Sequence, residues 1–430
     1  MLLRIGPPEH GPRPHRFSTG AWVLYDLANT VYAATLTFLF TPFVEKNYGG
    51  LSNLGLTQTW SMVLAGLLVP VLGAIVDRTA RTGLYLSIAT LLCIGAMSGW
   101  GLGGGEGFML GCFFLANVAY NLGLLFYNSL LPSVASHERA GLISGIGVGV
   151  GYCGTILVLL LLLPVKTPSS QFLLAAGMFL VFALPCMCLV RDRREVRKGP
   201  ATAAVRDAVA SLLSTLKELP QHRALLYFLL ANFCLVDVLN TAVLFFGSFT
   251  RNVFATAAED GSLVLFGTIY RGQEGLDSFF ALAGLCLNSM ALLFGISLGA
   301  LTDRWPLRVM KLSGLALLFA LVGGAWFGGT SALGYLLTLV MLGSLGLSGI
   351  WTAGRKVVVL LAPKERIGEF FGLYGITVKL SVIGSTVYGL VADGHGAKSA
   401  MLVQSVQLLV GLGLLALVRL PQSGDAARAA

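Results

Sequence analysis

Three ionisable side chains stand inside long apolar runs of this chain: Asp26, Asp237 and Lys379. A charge at membrane depth is costly unless it is paired or hydrated, so such groups are the first candidates for function. A poorly solvated carboxylate can take up and release protons near neutral pH, and a lysine can hold a solute carboxylate. Asp237 and Lys379 fall about halfway along their runs and are the candidates for a central charged pair. Asp237 can equally serve as a structural hydrogen-bond partner for a neighbouring helix, and Lys379 can reach toward water. Asp26 stands nearer one end of its run. There Tyr25, Asn29 and Tyr32 recur at i, i+4 and i+7 as a polar-aromatic stripe, and Asp26 and Asn29 are neighbours at i, i+3. Asp26 either joins that stripe in lining a cavity or reaches the nearby surface.

Other polar groups repeat at helical spacing. Asn117, Asn121 and Asn128 return to nearly the same helical angle. Amides facing lipid would be unsatisfied, so this face is expected to look inward, as glue between helices or toward a solute. Asn240 follows Asp237 by three residues. Trp351 and Arg355 stand one turn apart, the arginine serving as an anion site or a surface anchor. Gly145, Gly147, Gly149, Gly151 and Gly154 crowd ten residues, which suits either a bending segment or a closely packed helix pair.

These residues need a membrane scaffold to position them. Of 430 residues, 56% are hydrophobic and 11% charged, against about 25% charged in a soluble domain. Apolar runs long enough to span a bilayer fall near 20–43, 59–76, 84–102, 107–131, 141–163 and 171–190, then 224–249, 278–301, 309–327, 333–354, 369–392 and 398–418. The expected fold is therefore all-α: twelve transmembrane helices in two pseudo-symmetric six-helix bundles. The bundles occupy residues 1–190 and 224–430 and are joined by a basic linker, 191–223. The C-terminal bundle carries the longest loop on the far side, 249–277, whose apolar patch Ser262 to Tyr270 either folds over the mouth or is a tether. With twelve spans, 23 of the 29 Lys and Arg lie on the side of the termini and five on the other. The positive-inside rule then places both termini and the linker in the cytoplasm. The net charge of +9 follows from this bias and points to no nucleic-acid partner. The seven cysteines lie in apolar runs without metal or redox spacing. No cofactor is expected, and the residues at 1–17 do not read as a cleavable signal peptide.

Two loop phrases are written twice. Gly73-Ala-Ile-Val-Asp77-Arg78 returns as Gly299-Ala-Leu-Thr-Asp303-Arg304, and Glu138-Arg139-Ala-Gly141 as Glu365-Arg366-Ile-Gly368. A fainter echo links Asp26-Leu-Ala-Asn29-Thr30 with Asp237-Val-Leu-Asn240-Thr241. A chain of two like membrane halves is most often a secondary transporter. The loop carboxylates can cap helices or meet arginines of the other half. Asp77, Arg78, Arg81, Glu138, Arg139, Asp303, Arg304, Glu365 and Arg366 are thus the expected gate at the terminal face.

The two Gly-x-x-x-Asp-Arg loops resemble the loop signature of the major facilitator superfamily, with Thr79-Ala80-Arg81 extending the first copy and alanine standing where glycine is usual. Trp22-Val-Leu-Tyr25-Asp26-Leu-Ala-Asn29-Thr30, Tyr127-Asn128-Ser-Leu-Leu-Pro132 and Glu369-Phe-Phe-Gly372-Leu-Tyr374-Gly375 with Lys379 resemble its vacuolar amino-acid effluxer-like branch, which holds autophagy-related fungal transporters and bacterial relatives. The resemblance implies the twelve-helix fold and alternating access, with amino-acid export known for a few members.

The expectation is a secondary active transporter for a small polar solute, amino acids among them, coupled to protons and seated in a bacterial plasma membrane. Its expected solute and ion site is Tyr25, Asp26, Asn29, Asn121, Asp237, Asn240 and Lys379. The alternatives are efflux of larger amphipathic compounds, or a receptor or scaffold on the same fold. An enzyme is disfavoured: there is no phosphate-binding P-loop, HExxH or nucleophile elbow. Import against export, and the oligomeric state, are open.

Overall fold

A computed structural model describes residues 16–79, 81–134, 140–191, 206, 210, 213, 214, 216–361 and 367–419. In the N-terminal half, α1 (Arg16–Thr35) continues through a π turn, Leu36–Phe40, into Thr41–Tyr48. Then come α2 (Ser52–Thr79), α3 (Thr82–Leu102), α4 (Glu106–Ser129), α5 (Ala140–Leu157, with a π turn Val158–Leu162) and α6 (Pro168–Leu189). In the C-terminal half stand α7 (Arg223–Asp260), α8 (Gly272–Arg304), α9 (Pro306–Phe327), α10 (Ala332–Leu337, a π turn Thr338–Gly343, then Ser344–Leu361), α11 (Ile367–Leu380 and Ile383–His395) and α12 (Ala397–Ala416). Among the described residues, eleven helices are long and apolar enough to cross a membrane. The apolar stretch of α5, Gly149–Leu162, is shorter.

The helices are apolar nearly all round, as a bilayer requires, and they associate through close packing and interhelical hydrogen bonds. α1 lies on α5 and α6, α3 on α4 and α6, α7 on α12, and α9 on α10 and α12. Large apolar side chains also point outward, Leu67, Trp326 and Val406 among them. An apolar exterior of this kind fits lipid, not water. The glycine-rich stretch of α5 packs closely: Cβ atoms added at Gly151 and Gly154 would stand 3.0 Å from Thr30 Oγ1 and 2.6 Å from Leu27 O of α1. Glycine is what lets the two backbones approach.

α7 runs well past the expected end at 249. The apolar spacing continues through Val253, Phe254, Ala257 and Ala258, and Phe254 packs on Phe279 and Tyr335. The helix stops at Gly261, whose φ of +79° is the left-handed cap that glycine accepts without strain. A two-residue hairpin follows, Val264 paired with Ile269 and Leu265 with Thr268. Little of the expected loop 249–277 lies outside regular structure.

Between the halves, α2 packs on both parts of α11, α5 on α8, and the end of α1 on α7. Among the described residues, the hydrogen bonds that join the halves lie at mid-helix or toward the face away from Arg16 and Arg419.

Candidate functional site

α11 is broken at its middle. Ser381 and Val382 leave the helix, Val382 taking φ −150° and ψ 3°. A break exposes carbonyls at one new end and N–H groups at the other, which lipid cannot satisfy. Asp237 and Asn240, three residues apart on α7, meet both needs. The Gly384 N–H donates to both oxygens of Asp237 at 2.9 Å, while Asn240 Nδ2 donates to the Ser381 carbonyl at 3.1 Å. Gln407 Nε2 of α12 adds a third bond to Asp237 at 2.7 Å. The carboxylate sits at a helix N-terminus, where a negative charge is favoured.

Asp237 and Lys379 were expected as a central pair; the structure does not bring them together. Asp237, fully buried, is taken up by the second part of α11. Lys379, at the end of the first part, turns to the other half and donates from Nζ to Asn121 Oδ1 at 2.5 Å. Asn121 belongs to a polar cluster inside the N-terminal half: its Nδ2 donates to the Asn117 carbonyl at 2.8 Å, and Asn117 donates to Gln58 and Ser61 at 3.0 and 2.7 Å. Asn117 and Asn121 therefore act as glue among α2, α4 and α11. Asn128, near the end of α4, is exposed, so it does not share their inward role.

A cavity of about 360 Å³ lies between the halves. Asp26, Thr30 and Thr37 of α1 and Tyr152 and Thr155 of α5 line one side; Phe246 of α7, Asn288 of α8 and Tyr335 and Trp351 of α10 line the other. Parts of the π turns of α1 and α10 form its wall, and π turns often mark functional positions in helices. Asp26 is the one carboxylate among the described lining residues. Gly147 makes room for it: a Cβ there would stand 2.7 Å from Asp26 Oδ2. Of the expected solute-site residues, only Asp26 lines this cavity. Tyr25 faces into its own half. Tyr25 Oη pairs with Thr90 Oγ1 at 2.5 Å and its ring stacks on Tyr127; Asn29 is buried. One residue of offset turns a helical side chain by about 100°, so Asp26 and Thr30 reach the cavity while the aromatic stripe does not.

The face away from the chain ends carries a set of inter-half contacts that the sequence reading missed. Asp393, at the end of α11, accepts from the Leu51 and Ser52 N–H groups at 2.8 and 2.9 Å and from the Ser52 hydroxyl. Asn252 donates to Glu45 at 2.5 Å. Arg251 pairs with Asp277 at 2.9 Å, lies 4.2 Å over the Phe280 ring and reaches the Phe38 carbonyl. These residues share no repeated phrase, and Asp393 stands in the last turn of its helix, Ile383–His395, with no spacing that marks it. Of the expected gate, Glu138, Arg139, Glu365 and Arg366 lie outside the described residues, as do the side chains of Asp77, Arg78 and Asp303, and that of Arg355. Arg81 is exposed at the start of α3, and exposed Arg304 lies 4.6 Å over the Trp305 ring.

The family described as vacuole effluxer Atg22 like matches residues 52–428. The uncharacterized MFS-type transporter YxiO of Bacillus subtilis (strain 168) is 26% identical over 429 residues, covering 94% of each chain. Among solved structures, a mutant of the nucleoside transporter NupG superposes with a TM-score of 0.76 at 13% identity, over 94% of this chain and 100% of that one. A bacterial homolog of the human lysosomal transporter Spinster, inward-facing and unoccupied, gives 0.67 at 15% identity, over 95% and 98%. At these identities the solved structures speak for the fold.

Proposed function

This chain belongs to the vacuole effluxer Atg22-like family of major facilitator transporters, and on that premise we propose proton-coupled transport of small amine-bearing solutes, amino acids with apolar side chains foremost. It is an integral membrane transporter, not an enzyme. The observation that carries the finer reading is the cavity between the halves, where the Asp26 carboxylate stands among aliphatic and aromatic walls. A carboxylate suits a solute ammonium group or a proton, and the walls suit an apolar body. The units 1–190 and 224–430 would rock about this cavity, with solute and proton competing for Asp26. The cavity's apolar extent also favours a second reading, larger amphipathic amines.

The test is a solute screen on purified protein in liposomes with an imposed pH gradient. Accumulation of an amino acid that needs both gradient and protein is expected, with Asp26→Asn lowering it at least tenfold. Unchanged gradient-driven uptake in Asp26→Asn would remove that carboxylate from coupling. Saturable uptake of bulky amines but not amino acids would favour the second reading.

The lysine and arginine bias motivates a proposed cytoplasmic location for both termini. A cysteine placed at Ser262, in the turn before the hairpin, is expected to react with an impermeant reagent on intact cells. One placed at Thr202 should react only after permeabilisation, and the reverse pattern would invert the topology.

A further inference from the structure

At the break in α11, three side-chain oxygens converge on one glycine. The place a Cβ of Gly384 would take is 2.8 Å from Gln404 Oε1, 2.8 Å from Thr241 Oγ1 and 3.0 Å from Asp237 Oδ1. All three residues are buried, none more than 1% exposed. The Gln404 amide has one workable orientation. Its Nε2 donates to the Gly384 carbonyl at 2.9 Å, and a carbonyl cannot donate, so the amide oxygen must turn toward Thr241 and Asp237. Gln404 Oε1 and Thr241 Oγ1 have no hydrogen-bond partner among the described residues. Two oxygens that only accept and one hydroxyl thus face the same small space. Asp237 Oδ1 also accepts from the Gly384 N–H, but the hydroxyl's single proton cannot serve both it and Gln404, and among the described residues no cation neutralises the carboxylate: Lys379 is bound to Asn121.

We propose that this cradle binds a monovalent cation, sodium, through the Asp237 carboxylate, the Thr241 hydroxyl and the Gln404 amide oxygen. An all-oxygen ligand set selects a hard cation. A single carboxylate neutralises one positive charge, so a divalent ion would leave net charge buried, and three oxygens that stand within 3.0 Å of one point favour sodium over the larger potassium. The bound ion would tie α7 and α12 to the start of the second part of α11. That same segment receives the other half, since Thr59 Oγ1 donates to the Val382 carbonyl at 2.8 Å and Ser385 Oγ to the Gly55 carbonyl at 3.1 Å. Sodium would therefore stabilise the docking of α2 on α11. The site is separate from Asp26 and its cavity, and measuring it requires no transported solute, so its failure is distinguishable from failure of the amino-acid and proton reading.

The experiment is equilibrium binding of ²²Na⁺ to the purified full-length protein, with thermal unfolding followed in sodium, potassium or choline chloride at equal ionic strength. Saturable binding and a higher unfolding midpoint in sodium alone are expected. Thr241→Val, close in shape, should weaken sodium binding at least tenfold. Gly384→Ala, whose methyl would press on all three oxygens, should abolish the sodium-dependent shift. If Gly384→Ala fails to fold, Thr241→Val decides alone. Absence of saturable binding in the wild type, or undiminished binding in Thr241→Val, would overturn the proposal. So would stability that follows pH identically in sodium and choline, because the Asp237 carboxyl would then satisfy Gln404 with its own proton.

Discussion

Asp393→Ala is expected to shift the protein toward states open on the face away from its chain ends. In the structure this carboxylate holds the first N–H groups of the other half's α2, from Leu51 and Ser52, together with the Ser52 hydroxyl. It caps a helix that belongs to the opposite half, so the cap exists only while that face is closed. Capping by a side-chain oxygen is worth about 0.5–2 kcal/mol, and Asp393 is solvent-exposed, which keeps the figure within that range. A loss of about 1–2 kcal/mol is a roughly 5- to 30-fold change in the ratio of closed to open. Spin labels at exposed Leu102 and at Lys398 would report it as growth of a longer distance. Distributions that match the wild type would show that the packing of α2 on α11 holds the face closed without the cap.

The helical architecture was legible because runs of apolar residues of spanning length have few other physical solutions. The site was legible only as a set of residues. The Asp237 and Asn240 pair could be picked out by its position in an apolar run, yet its role depends on partners 147 and 141 residues later. Nothing in Lys379-Leu-Ser-Val-Ile383-Gly384 announces a break: the stretch is apolar enough to read as one span from 369 to 392. The break persists because a carboxylate and an amide on α7 satisfy what it exposes. On α1 the stripe of Tyr25, Asn29 and Tyr32 was the stronger pattern, but periodicity marks that a face is special without saying which neighbour it meets. Here that face meets its own half and leaves the cavity to Asp26 and Thr30. The contacts of Asp393, Glu45 and Arg251 were illegible for a related reason, since pairs across the two halves leave no local spacing to find.

Lys379→Met separates two roles for the one lysine described at mid-membrane. If the ammonium holds a solute carboxylate, as its sequence position suggests, the variant raises KM at least tenfold for solutes that carry the group and leaves decarboxylated analogues unaffected. If its role is the bond to Asn121, the loss falls on the association of the halves and alters both kinds of solute alike. The second outcome is expected, because the lysine is committed to an amide oxygen of the other half and the described cavity lining does not include it. A hydrogen bond to a charged group contributes about 1.5–3 kcal/mol, which is roughly a 10- to 150-fold bias toward the state in which the halves meet at α4 and α11. Asn121→Leu removes the same bond from the other side, together with the amide's contacts to Asn117. The double variant should then cost clearly less than the sum of the two single variants, the mark of a shared contact. Strict additivity, together with a KM change confined to carboxylate solutes, would return Lys379 to the solute site. The link to Asn121 would then describe only how the side chain rests when no solute is present.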